Sequence, residues 1–213
     1  MTTPSSGHRS TARRRARARK PRNDAATAAT RVDILKSAAK AFRRLGYHGA
    51  TVQQIAAALR MKKGNLYYYF KSKEDLLFAC HQYSLDRLTQ LLADVEAEPV
   101  SPETKLRRLI HGAVHLILDE LHGTALFLDL EALSATHLKA IIAQRDLFDK
   151  GVRALLDEGT RRGDFTEGNA KFRSFVILGA VNWIPRWFNP GGTSTSDEIA
   201  QQFADYLLDG LRR

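Results

Sequence analysis

Cysteine is almost missing from this chain. The lone Cys80, set in the apolar run LLFAC, excludes an intrachain disulfide and points to a reducing compartment, where it reads as a buried structural thiol rather than a redox sensor. Long apolar runs are also lacking. No stretch approaches the ~20 residues that span a bilayer, and the N-terminus carries charge where a secretion signal needs an apolar core. The expectation is a soluble, cytoplasmic protein without a membrane partner. Catalytic signatures are lacking too, with no nucleotide-binding glycine loop, no G-x-S-x-G elbow and no H-E-x-x-H, so no enzyme and no cofactor is expected.

Acidic residues are scarce at one end. Up to Phe70, sixteen Lys and Arg face only Asp24 and Asp33, while the remainder is mildly acidic, so the formal net charge of +10 has its whole excess at the N-terminus. Solubility does not require such segregation; contact between that end and a polyanion explains it.

The basic end starts with residues 1–24, which lack aliphatic side chains apart from Met1 and alanine. They cannot bury a core and read as disordered when free. Arg9, Arg13, Arg14, Arg15, Arg17, Arg19, Lys20 and Arg22 suit an arm that neutralises phosphate or enters a minor groove, and equally a solvated leader. A transit peptide shares this composition.

Beyond residue 27 the pattern is helical, with no strand pair and no repeat. Ile34, Ala38, Phe42 and Leu45 form one stripe that stops at Gly46. Thr51 caps a short second helix, with Gln54 completing a capping box and Val52, Ile55, Ala56 and Leu59 facing inward. After the turn Arg60-Met61-Lys62 comes KGNLYYYF, and Ser72, with Asp75 three residues on, caps a long helix. Further on, Ser101-Pro102 opens a fifth helix through Leu121, interrupted at His122-Gly123. Helices follow near 124–134, 138–162 and 169–188, and Thr195 with Glu198 starts the last one. NPGG at 189–192 is a break, and Pro185 kinks or frays the penultimate helix.

Residues 50–77 have the layout of a helix-turn-helix. A short helix, a tight turn and a second short helix are flanked by Lys62, Lys63, Lys71 and Lys73. Three consecutive tyrosines cannot all be buried on one helix, and contact with phosphates and bases accounts for both them and the lysines. The segment from about 30 to 77 resembles the TetR family in Thr51, Ile55-Ala56, Leu66-Tyr67-Tyr68-Tyr69-Phe70 and Lys71-Ser72-Lys73-Glu74-Asp75-Leu76. The resemblance implies phosphate contacts at Thr51 and Lys73, with Lys63 beside them. It implies base-edge candidates at Gln53 and Asn65, and backbone or thymine contacts at Tyr68 and Tyr69. Tyr67 divides its ring between core and phosphate, and Leu66 and Phe70 hold the helix to its domain. Arg60 departs from the family's usual turn glycine, and Asn65 from its commoner threonine.

The resemblance also implies a homodimer through the last two helices, with two recognition helices roughly 34 Å apart on double-stranded operator DNA. Phe172, Phe175, Val176 and Gly179 in one helix, and Ile199, Phe203, Tyr206, Leu207 and Leu211 in the other, supply apolar stripes, which an intrachain core explains as well. Asn182-Trp183-Ile184-Pro185-Arg186-Trp187 followed by Pro190-Gly191-Gly192 resembles a TetR subgroup that answers to acyl-CoA thioesters. That makes Asn182, Trp183, Arg186 and Trp187 candidate ligand residues, with core or dimer packing as the alternative for the tryptophans. His111, His115, Asp119 and His122 share one helix face, which reads first as polar surface and second as a metal site.

The sequence therefore predicts an all-α fold of about nine helices. Residues 1–24 form a basic arm, 25–75 a three-helix helix-turn-helix domain, and 76–213 a helical ligand-binding and dimerisation domain. The expected function is a transcriptional repressor whose effector is an acyl-CoA or another hydrophobic small molecule. The alternatives are an architectural DNA-binding protein without an effector and, with less support, a helical enzyme.

Overall fold

In the computed structural model, which describes residues 21–120 and 129–212, the helical periodicity resolves into eight α-helices and no strand among the described residues. The first, α1 (Pro21–Gly49), begins four residues inside the segment read as an arm, and the rest of that arm lies outside the described residues. Ile34, Ala38 and Phe42 are buried as their spacing requires, whereas Leu45 is exposed. Gly46 breaks the helix with φ 68°, a left-handed value that glycine adopts without a steric penalty.

Two short helices follow, α2 (Val52–Ala58) and α3 (Lys63–Tyr69). The predicted capping box is present. The Thr51 hydroxyl accepts the Gln54 N–H at 3.2 Å, and the Gln54 side-chain Oε1 accepts the Thr51 N–H at 2.9 Å. Between them the chain turns through Arg60 at φ 54°. Met61 N–H reaches Ala56 O at 2.9 Å and Arg60 N–H reaches Ala57 O at 3.0 Å. That bond pair is a Schellman ending, with Arg60 at the position glycine usually fills. Val52, Ile55, Ala56, Leu66 and Phe70 are buried where α2 packs on α1 and α3 on α2, and α1 packs in turn on the long α4 (Lys73–Glu96), which Ser72 caps by accepting the Asp75 N–H at 2.9 Å.

The start of α4 belongs to the small domain. Its later turns join α5 (Pro102–His115), α6 (Ala135–Arg162), α7 (Ala170–Trp187) and α8 (Ser196–Asp209) in a second helical layer around one continuous apolar core. The fifth helix departs from expectation before His122: it widens into a π turn over Leu116–Glu120. Leu116, Ile117 and Leu118 are all buried, and the wider turn sends three successive side chains inward where an α-helix would expose one. The break placed at His122-Gly123 and most of the helix placed at 124–134 lie outside the described residues; 130–132 is a single 3-10 turn. Ile199 on α8 and Leu211 just past its end are buried, and Tyr206 alone of the predicted stripe is exposed.

Candidate nucleic-acid interface and effector cleft

The outer face of the first three helices carries the residues read from sequence as DNA contacts. Thr51, Gln53, Lys63 and Asn65 are exposed, and Tyr68 stands 72% exposed at the tip of α3. Tyr67 is partly covered, its ring 5.8 Å from the Lys63 ammonium. Tyr69 is half-buried and meets Tyr68 edge-on at 5.3 Å. Leu66 and Phe70 point inward and are 1% exposed, which fixes the roll of α3 and presents Lys63, Asn65 and Tyr68 to solvent.

Lys73 is turned into the domain, where phosphate contact was expected of it. Its ammonium donates to Tyr47 O at 2.8 Å and Ala50 O at 3.1 Å, and lies 4.3 Å from the Tyr47 ring centre. These bonds close the turn between α1 and α2 that carries Thr51, and so brace the loop on which Thr51 stands.

Among the described residues, hydrogen bonds at Asp129, Arg43 and Glu74 join the small domain to the large one, and none had a local sequence signal. The Asp129 carboxylate accepts the Tyr47 N–H at 2.7 Å, and Arg43 donates to Pro185 O at 3.3 Å. Glu74 accepts the Ser134 N–H at 2.9 Å and lies 2.6 Å from His137 Nδ1, while the His137 ring stacks on Phe78 with centroids 3.8 Å apart. Burial pushes the Glu74 carboxyl up, but the Ser134 amide and the His137 ring outweigh it and hold it below its ordinary value.

In the large domain Asn182 lines three neighbouring spaces. An outer cleft of about 490 Å³ is lined by Trp183, Arg186, Gly179 and Phe175. A middle cleft of about 230 Å³ lies among α4, α6 and α7. An inner apolar space of about 20 Å³ sits among Ile110, Ile117 and Ile177. Of the predicted ligand residues, Asn182, Trp183 and Arg186 meet here, the Arg186 guanidinium 5.9 Å from the Trp183 ring. Trp187 does not line these spaces; it stacks against Phe203 of α8 at 6.1 Å.

The candidate metal face is used otherwise. His115 has one ring nitrogen 2.8 Å from Asp119 and the other 2.9 Å from Asp197, and Ser196 donates to Asp119 at 2.8 Å. Among the described residues no group of three metal-ligating side chains comes together, and His122 lies outside them. The histidine ties the end of α5 to the start of α8.

A two-helix reader with a basic, aromatic outer face, mounted on a helical body with an internal cleft, defines a helix-turn-helix DNA-binding regulator. The family pattern for bacterial regulatory proteins of the tetR family matches residues 34–80, and that for the tetracyclin repressor-like C-terminal domain matches 99–211. The chain belongs to the TetR family of transcriptional regulators, and so is a DNA-binding regulator and not an enzyme.

It is similar to the HTH-type transcriptional repressor NicS of Pseudomonas putida, at 33% identity over 83% of each chain. It is also similar to the HTH-type transcriptional repressor KstR2 of Rhodococcus jostii, at 27% identity over 85% of this chain and 90% of that one. Among solved structures, AibR in complex with isovaleryl coenzyme A and operator DNA superposes with a TM-score of 0.71 at 28% identity, covering 85% of this chain and 97% of that one.

Proposed function

We propose that this protein is a cytoplasmic, homodimeric repressor that releases operator DNA when an acyl-CoA thioester enters the cleft beside Asn182. The outward face of α3 carries the DNA half of this reading, because Tyr68 at 72% exposure and the neighbouring Lys63 and Asn65 are turned to solvent and bury no core surface. Support for the effector half comes from the cleft itself, since an architectural protein needs no such space. AibR, which carries isovaleryl coenzyme A and operator DNA together, shares the fold. Trp183 and Arg186 at the outer cleft suit an adenine ring and phosphates, as stacking surface and cation.

Coupling follows from the contacts between the domains. A ligand that moves α6 or α7 pulls on His137 and on Pro185 O, and through Glu74 and Arg43 shifts the small domain. DNA affinity then falls by the difference in ligand binding free energy between the two arrangements.

The reading is tested by fluorescence anisotropy on duplex DNA from upstream of the protein's own coding sequence. Tyr68→Ala should weaken binding by about tenfold or more, and Lys63→Ala should lower the salt slope by about one, with dimerisation unchanged by analytical ultracentrifugation. Specific binding that survives Tyr68→Ala at full strength would remove α3 from the groove.

A further inference from the structure

Among the described residues, the outer cleft beside Asn182 has a single wall. Phe175, Leu178, Gly179, Asn182, Trp183 and Arg186 line its space of about 490 Å³. All six belong to α7, where steps of three, one, three, one and three make one stripe along the helix. A ligand site buries most of its ligand between facing walls. A thioester lying on this stripe alone would keep much of its surface in water.

The neighbouring turns of α7 identify what faces it. Phe172 and Val176, 64% and 63% exposed, precede Gly179 on the same helix and line none of the three spaces around Asn182. A ligand in the cleft leaves these two side chains bare, whereas a second copy of the chain covers them. Gly179 belongs to both sets. A Cβ built on it meets nothing within 4 Å, so the helix surface is open to close approach there. A partner helix that packs at Gly179 therefore borders the cleft by the same contact.

We propose that the effector site is shared between subunits: a second copy, seated on Phe172, Val176 and Gly179, supplies the wall that faces Trp183 and Arg186, so that each bound acyl-CoA touches both chains. This rests on the homodimer and acyl-CoA readings above. A ligand held between two chains binds the dimer in preference to the single chain, and by linkage it tightens the dimer by the factor that the dimer tightens the ligand. It also acts directly on the angle between the two copies, which sets the spacing of the two α3 helices on DNA.

The test compares the full-length wild type with Val176→Glu, which puts a charge in the seam and leaves every residue of the cleft in place. The probe is the tighter binder of isovaleryl-CoA and octanoyl-CoA, measured by isothermal titration calorimetry. Monomeric Val176→Glu should bind it at least about tenfold more weakly than the wild type does. In analytical ultracentrifugation, a saturating amount of the same thioester should lower the dissociation constant of the wild-type dimer by at least about tenfold.

Equal affinity in the monomeric variant, or a dimer constant untouched by the thioester, overturns the shared site and leaves the acyl-CoA reading standing. A Val176→Glu protein that stays dimeric overturns it as well, by removing the seam from this face. Binding of neither thioester to the wild type overturns both readings. If circular dichroism shows that Val176→Glu does not fold, the ultracentrifuge measurement on the wild type decides alone.

Discussion

Arg60 shows what one residue contributes to the reading head. Its φ of 54° places an L side chain in the left-handed region, at the C-terminal cap of α2, where steric crowding costs about 1–2 kcal/mol. Arg60→Gly relieves that crowding and gives back part of it as unfolded-chain entropy. The net expectation is a gain of about 0.5–1 kcal/mol in stability, read as a rise in the midpoint of urea unfolding with an unchanged slope. A fall in the midpoint would show that the side chain earns its place by contacts.

Cys80 illustrates the opposite case. Fully surrounded, with its thiol 3.5 Å from Leu35 O and burial pushing its pKa up, it is a packing residue and no redox switch.

The elements were legible to different depths. Caps announced themselves because side-chain oxygens three residues from their partners are a local pattern, as at Thr51, Ser72, Ser101 and Thr195. The inward bonds of Lys73 have no local signal, because exposure is not local. A lysine beside a recognition helix looks available for phosphate until the fold brings Tyr47 and Ala50 carbonyls beneath it. The contacts of Asp129 and Glu74 were not legible, because their partners lie 82 and 63 residues away.

The Glu74–His137 clasp carries a prediction at this scale. A carboxyl held below its ordinary value in the folded state adds stability that is complete above its unfolded pKa and is lost as pH falls through the folded one. Below about pH 4.5 the wild type should therefore lose stability more steeply than Glu74→Gln. Thermal melts of both proteins between pH 6 and 3 check this, and parallel curves would deny the clasp its role.

At the scale of the molecule, α7 presents Phe172, Val176, Gly179, Trp183 and Trp187 along one face, at steps of four, three, four and four. Four of the five are exposed large apolar side chains, and a Cβ added at Gly179 would meet nothing. In the homodimer proposed above, a second copy seated over Phe172, Val176 and Gly179 covers that end of the patch, leaves Trp183 to the effector cleft, lets two helices approach closely at Gly179, and sets two α3 helices on one side of a duplex. Val176→Glu places a charge in that seam and should convert the dimer to monomers in sedimentation. Operator affinity should fall with it although no DNA-facing residue has changed. A dimer that persists would move the seam elsewhere.

Pro185 gives this arrangement a further property. Near the end of α7 its carbonyl falls to Arg43 on α1, so the helix that would meet the other subunit is also tethered to the helix that carries the reading head. Subunit pairing and head posture then share a single strut, and a small slide of one copy along the other arrives at the DNA as a tilt, without any loop having to relay it.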